Sequence, residues 1–506
     1  MFFANRRKFF KTISGALAAA APALAAPSRK RSKLVIWLMP EALRYDTLIA
    51  AEPWLRSGGL RRLMEEGSFF PDCSLNASSF SSSALATLQT GAYPAGHGIV
   101  ADRWAQRSVI AASPARLQAT TLSEQVRLAD TRNRTFWISS DTHLAELGAG
   151  LGKPEESSLY GTDSKGKFQL SAGPPNTWLT SFAAKNAPDE PRTFEWRAMH
   201  AAAGAPPLRS FRVDAAQPQE SLRGWQASPF GLSYEFDFLT ALIRNQKLGR
   251  GPAGDLVTVV LDSFGKLARA EGGDSPLMRE LLLHLDSEIE NLLAFLTADG
   301  VEATLAMTSL HGAPDTSTGG HRVSGQALAT SIEKALATHF GPNPGRRIET
   351  YIYPFLYLKN PEKVTREMRL AAGKAALAGG PVQAFYTADG DCSHTGEWAQ
   401  RMRNSFHATR SGDVMLSYLP GYLEDTGETR GVSFGSLYNY DVRVPAIFWG
   451  PGFSDQDFED RIAAVDVAPT LARVLDVAAP SSSVGRVLAE VFTSGMPGPR
   501  GDRAAR

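Results

Sequence analysis

Side chains able to ligate, titrate or attack recur directly after short apolar runs in this 506-residue chain. Glu41 follows KLVIWLM (33–39) and one proline, Asp262 closes LVTVVLD (256–262), and Leu310-His311 follows VEATLAMTS (301–309). Residues at such places deserve scrutiny, because carboxylates and an imidazole can titrate, accept hydrogen bonds or bind cations. Ser81 opens a serine triplet that leads into a helical pattern through Ala84, Leu85, Ala86 and Leu88. A hydroxyl at the head of a helix serves either as an N-cap or as a nucleophile supported by backbone N–H donors. Lys266 stands four residues after Asp262, and Asp102 follows the HGIVA run. His97 and His407 read as structural, and His321 and His394 lie in a later segment from which a replacement ligand could come. Cys73 and Cys392 have no CxxC spacing, which gives no support to a cysteine metal site or redox motif. A disulfide or two free thiols would both fit.

The apolar runs, with VPAIFWG (444–450), are short and nearly continuous, as in strands buried on both faces of a parallel sheet. Between them, Pro276–Leu296 carries leucines at helical spacing. Strands alternating with helices predict an α/β fold: a doubly wound, mostly parallel sheet sandwiched by helices. Ligands of such sheets bind beyond the carboxyl ends of the strands, where Glu41, Asp262 and His311 fall. One domain is expected over 32–490, with cap insertions near 150–225 and 312–405 that break the alternation. The tail 491–506 reads as disordered.

The N-terminus carries Arg6-Arg7 before Phe9, Phe10 and Lys11, then an alanine-rich run ending in Ala-Leu-Ala. This is the pattern of a twin-arginine signal peptide over 1–25, which places the mature chain in the periplasm or outside the cell. Four of the 53 basic residues lie there, so the mature chain holds 49 against 52 acidic residues, a net charge of about −3. A near-neutral chain shows no nucleic-acid footprint, and no later apolar run is long enough to span a bilayer. Oligomeric state is not legible.

Four segments in order, PEALRYD (40–46), SSSALATLQTGAYPAGHGIVADRW (81–104), SFHATRSGDVML (405–416) and GSLYNYDVRVPAIFWGPGF with VDVAPTLARVL (435–453, 465–475), resemble the alkaline phosphatase superfamily. The resemblance is closest to its type I phosphodiesterase/nucleotide pyrophosphatase and phosphate-irrepressible phosphatase branch. It implies two metal ions, usually zinc, and a Ser or Thr nucleophile, here Ser81. It also implies losses. Glu41 stands for an Asp ligand, Asp262 is kept, and Lys266 replaces a His. Leu310-His311 replaces an Asp-His pair, and Phe434 replaces the last His. Asp102 replaces a substrate-binding Asn, and Asp141 and His143 align with a Lys-x-Arg pair.

The ligands that remain, Glu41, Asp262 and His311, are too few for a dinuclear centre, since catalytic zinc needs about three protein ligands. At most one divalent metal, zinc, or none at all is expected. Lys266 is the one new cation. The sequence therefore reads as a degenerate family member that binds a phosphate ester or other small anion. The alternative is a metal-dependent phosphate mono- or diester hydrolase using Ser81 with a reduced metal site.

Overall fold

The computed structural model describes residues 32–493 except 107, 153–156, 174–175, 187, 189–191, 215–217, 316–320, 343–344, 426 and 428–430. The expected signal peptide over 1–25 and the residues beyond 493 lie outside the described ones. A ten-stranded sheet forms the centre. Its strands are β1 (Leu34–Pro40), β2 (Ser68–Ser74), β3 (Arg134–Ile138), β4 (Ser158–Thr162), β5 (Phe168–Leu170), β6 (Asp255–Leu261), β7 (Thr304–Thr308), β8 (Arg443–Trp449), β9 (Gln456–Asp457) and β10 (Ile462–Ala463). The order is β9-β2-β8-β7-β1-β6-β3-β4-β5, with β10 also on β2.

Hydrophobic alternation explains the layering. Leu34, Ile36 and Leu38 of β1 enter one core, with Leu281, Leu285 and Ile289 of the Pro276–Ala298 helix. Val35, Trp37 and Met39 enter the other, with Leu85 and Leu88 of the Ser81–Thr90 helix. Every residue of β1 is buried, as a strand covered by helices on both faces requires.

Register then sets the site. In the parallel pair β1–β6, Pro40 lies opposite Leu261, so Glu41 and Asp262 leave the sheet side by side. Leu38 lies opposite Met307 in β7, which puts the Leu310-His311 loop at the same level. Ile138 of β3 lies opposite Val259, bringing Ser139 and Ser140 alongside Asp262.

Three details depart from the sequence reading. VPAIFWG forms β8, but it runs antiparallel to both β7 and β2. The expected bound near 405 falls short, because the four-stranded sheet of Ile348–Ile352, Phe355–Leu358 and Val382–Thr387 takes its remaining strand, Val414–Tyr418, from beyond it. Residues 491–493 belong to the fold, since Val491 is buried and the Thr493 N–H donates to the Gly452 carbonyl at 3.1 Å. The segment near 150–225 supplies β4 and β5 at one sheet edge and a hairpin of Arg192–Trp196 with Arg209–Val213. Cys73 and Cys392 are free thiols.

Candidate active site

Ser81 is the first residue of its helix, and Phe80 takes the N-cap position without a side-chain hydrogen bond. The Ser81 hydroxyl is therefore not spent on capping. It donates to Glu41 Oε1 at 2.5 Å and lies 3.1 Å from His311 Nε2. Its neighbours serve the helix: Ser83 Oγ donates to the Ser78 and Phe80 carbonyls, and the Ser82 N–H donates to Asp102 Oδ1 at 2.8 Å. Asp102 thus occupies a backbone donor at the helix head.

Glu41 and His311 are held by a shared staple. Ser309 Oγ lies 2.7 Å from the carbonyls of both Pro40 and His311, which share its one proton, and accepts from the Leu43 N–H at 3.0 Å. Between these contacts Ala42 adopts φ 68, an uncommon conformation for a residue with a Cβ. His311 Nδ1 lies 2.7 Å from the Gly312 carbonyl and donates to it, and the ring hydrogen-bonds Glu41 when Nε2 carries a proton as well. Nε2 then faces Ser81 and, at 3.5 Å, Glu41 Oε1. Burial alone would raise the Glu41 pKa. The His311 hydrogen bond, the charges of Arg269 and His311 and the Ser81 hydroxyl outweigh it and hold the carboxyl at about 2.

A second cluster surrounds Asp262, the first residue of the Asp262–Glu271 helix. Ser139 Oγ donates to its two oxygens at 3.2 and 3.1 Å, and the Ser140 N–H donates to Oδ2 at 2.5 Å. Lys266 Nζ donates to Ser140 Oγ. Burial nevertheless pushes the Asp262 pKa up to about 6, with Glu41 and Asp141 adding to the rise and Lys266 and the Ser140 N–H opposing it. Buried Glu235, which accepts from Ser263 Oγ at 3.1 Å, is raised well above the carboxylate range by burial and by Asp262.

The expectation that Lys266 is the only new cation is corrected by Arg269. Its Nη2 lies 3.4 Å from both Glu41 Oε1 and Ser81 Oγ, and its guanidinium sits 4.3 Å over the Phe434 ring. The sequence carried a signal for it: Arg269 is three residues after Lys266, so the two share a helix face. Asp441 was also missed, although it lies inside GSLYNYDVRVP. Its carbonyl accepts from the Gly312 N–H at 2.7 Å, and burial pushes its carboxyl up to about 6.

The Phe434 ring lies 4.3 Å from the His311 ring. It is carried there by Gly435, whose φ of 113 suits glycine and whose N–H donates to Ser79 Oγ at 3.2 Å. Asp141 caps the Thr142–Ala149 helix through the His143 N–H at 3.0 Å. His97 Nε2 lies 3.1 Å from Thr87 Oγ1, and His407 Nε2 lies 2.7 Å from Gln118 Oε1. His321 stacks on Tyr422, and His394 contacts Gln383 and Ser393. A cavity of about 660 Å³ bordered by Arg127, Arg134 and Ser158 opens at the amino ends of β3 and β4, away from this chemistry.

The donor set does not suit a pair of divalent ions. Glu41 already meets a hydroxyl, an imidazole and a guanidinium, and Asp262 meets serine donors with Lys266 close by. Among the described residues, no group of three or more His, Cys, Asp or Glu side chains is placed to hold a metal ion.

A mostly parallel sheet between helices, with a serine at a helix head facing residues from the carboxyl ends of β1 and β7, defines the alkaline-phosphatase-like class. Residues 35–431 match the family model "Type I phosphodiesterase / nucleotide pyrophosphatase", and the chain belongs to that family. Among curated relatives it is 26% identical to alkaline phosphatase PhoD of Zymomonas mobilis, over 77% of this chain and 76% of that protein. It is 23% identical to alkaline phosphatase PhoV of Synechococcus elongatus, over 91% and 93%. The crystal structure of alkaline phosphatase PafA superposes with a TM-score of 0.78 at 19% identity, covering 92% of this chain and all of that one. Murine ectonucleotide pyrophosphatase/phosphodiesterase 5, inactive and in complex with AMP, gives 0.55 at 12% identity, covering 88% and 95%. Among the described residues no helix is long and apolar enough to cross a membrane.

Proposed function

We propose that this chain is a catalytically degenerate family member, exported by the twin-arginine pathway, whose pocket binds a phosphate ester or other small anion without turning it over. One observation carries the reading: the ring of Phe434 packs 4.3 Å from His311, where the family resemblance calls for another His ligand. With Leu310 and Lys266 also in ligand positions, the remaining donors support one divalent ion at most. Such an ion would be held by Glu41 and His311 and would supply Lewis-acid polarisation of a phosphate oxygen. The protein's own groups act as a binding surface. Ser81 offers a hydroxyl, Arg269 offers guanidinium donors, and Asp102 and Asp262 are occupied by neighbouring donors. AMP in the ectonucleotide neighbour and phosphonoacetate in the phosphonoacetate hydrolase of Sinorhizobium meliloti illustrate the ligand class.

The second reading, a hydrolase in which Ser81 attacks phosphorus, draws support from the 2.5 Å contact of Ser81 with Glu41 and from relatives named alkaline phosphatases. One comparison separates the two. Hydrolysis of aryl phosphate mono- and diesters is measured for wild type and Ser81→Ala under zinc, manganese and calcium in turn. Near-background rates for both proteins are expected. Metal-dependent turnover that disappears in Ser81→Ala establishes the hydrolase instead.

A further inference from the structure

Lys266 and Arg269 lie three residues apart on the Asp262–Glu271 helix and so project from one face of it. Each meets one of the two carboxylate clusters. Lys266 bonds Ser140 Oγ, whose own N–H holds Asp262, and its charge acts on Asp262. Arg269 reaches Glu41 Oε1 and Ser81 Oγ, both at 3.4 Å, with its guanidinium plane supported by Phe434. Phe434 in turn packs on His311, so the same aromatic ring that adds no ligand also seats the cation.

We propose that Arg269 is a fixed cation standing in for a divalent metal, and that with Lys266 it lets this pocket take a tetrahedral oxyanion without any metal ion. A guanidinium cannot give up its proton in a protein, so it neutralises Glu41 at every working pH and repels a dication from Glu41 and His311. Its fork of donors suits an oxyanion better than an ammonium does, and the Arg269 side chain is 47% exposed, open to a ligand arriving from solvent. Ser81 and Glu41 beneath it are buried, which directs such a ligand to the guanidinium first.

This inference rests on the binding reading above, and its test is separable from turnover. The mature chain is titrated calorimetrically with inorganic phosphate in the presence of EDTA, and separately with zinc chloride after the chelator is removed. Phosphate is expected to bind wild type in EDTA and to bind Arg269→Ala roughly tenfold or more weakly, the scale of a lost charge-assisted hydrogen bond. Wild type is expected to take up no zinc, whereas Arg269→Ala takes up one equivalent that Arg269→Ala/His311→Ala does not. Arg269→Gln, with a melting curve matching wild type, separates loss of charge from loss of fold and is expected to weaken phosphate binding likewise. Phosphate binding that requires zinc, or that is unchanged in both Arg269 variants, overturns the inference, as does equal zinc uptake by wild type and Arg269→Ala. All three leave the binding reading standing. Zinc-dependent turnover through Ser81 would instead remove the reading on which the inference rests.

Discussion

Glu41 and Glu424 are both carboxylates taken out of water, yet their pKa values move in opposite directions because their partners differ. Glu41, at about 2, has an imidazole, a guanidinium and a hydroxyl to offset burial. Glu424 is pushed up to about 7, first by burial and further by Asp425, with the Tyr418 hydroxyl at 2.5 Å as the opposing donor. The folded state thus holds the Glu424 proton more tightly than the unfolded chain, whose value is near 4.5. Its contribution to stability is full below pH 4.5 and is lost as pH rises through 7, whereas that of Glu41 is full above 4.5 and is lost as pH falls through about 2. Glu424→Gln keeps an acceptor for Tyr418 and removes the titration. Its melting temperature should therefore fall less than that of wild type between pH 4.5 and 7. Parallel curves would contradict the assignment. The sequence exposed Glu41 and His311 because each follows a strand, and Ser81 because it opens a helix, boundaries at which a fixed position is legible. Arg269 was not legible in that way, since it lies two turns beyond the strand end, in the last turn of its helix, and its role depends on how that helix leans on Ser81 and Phe434.

Helix placement decides how closely the catalytic-end groups approach one another. Gly265, inside the Asp262–Glu271 helix, has no side chain because a Cβ there would fall on the Glu41 carboxylate. Helix propensity alone would favour alanine by about 1 kcal/mol. The steric term should win, because Glu41 is buried and tied to Ser81, His311 and Arg269 and has little room to retreat. Gly265→Ala is therefore expected to lower the melting temperature, and a rise would show that Glu41 moves freely. The strand β8 illustrates what pattern alone cannot resolve. A strand buried on both faces reads as the same apolar run in either direction, so VPAIFWG revealed its burial but not its antiparallel course. The small sheet closed by Val414–Tyr418 escaped for a related reason: its strands pair antiparallel across segments, and contiguous sequence does not show which strand completes it.

Across the whole molecule, the site exists only because the sheet brings together residues as distant as Glu41, Ser81, Asp262, His311 and Phe434. Two cores, one on each face, fix the strands whose ends carry these groups. The family scaffold is present, Lys266, Leu310 and Phe434 stand at former ligand positions on the proposed reading, and the cation nearest Ser81 and Glu41 among the described contacts is a guanidinium. This combination is the central claim, and metal content tests it most directly. The purified mature chain is dialysed exhaustively against metal-free buffer and its zinc, manganese and calcium are quantified per mole of protein. One equivalent of divalent metal at most is expected, and none where Arg269 fills the site as inferred above; His311→Ala should remove any that remains, and two equivalents surviving dialysis would contradict the account.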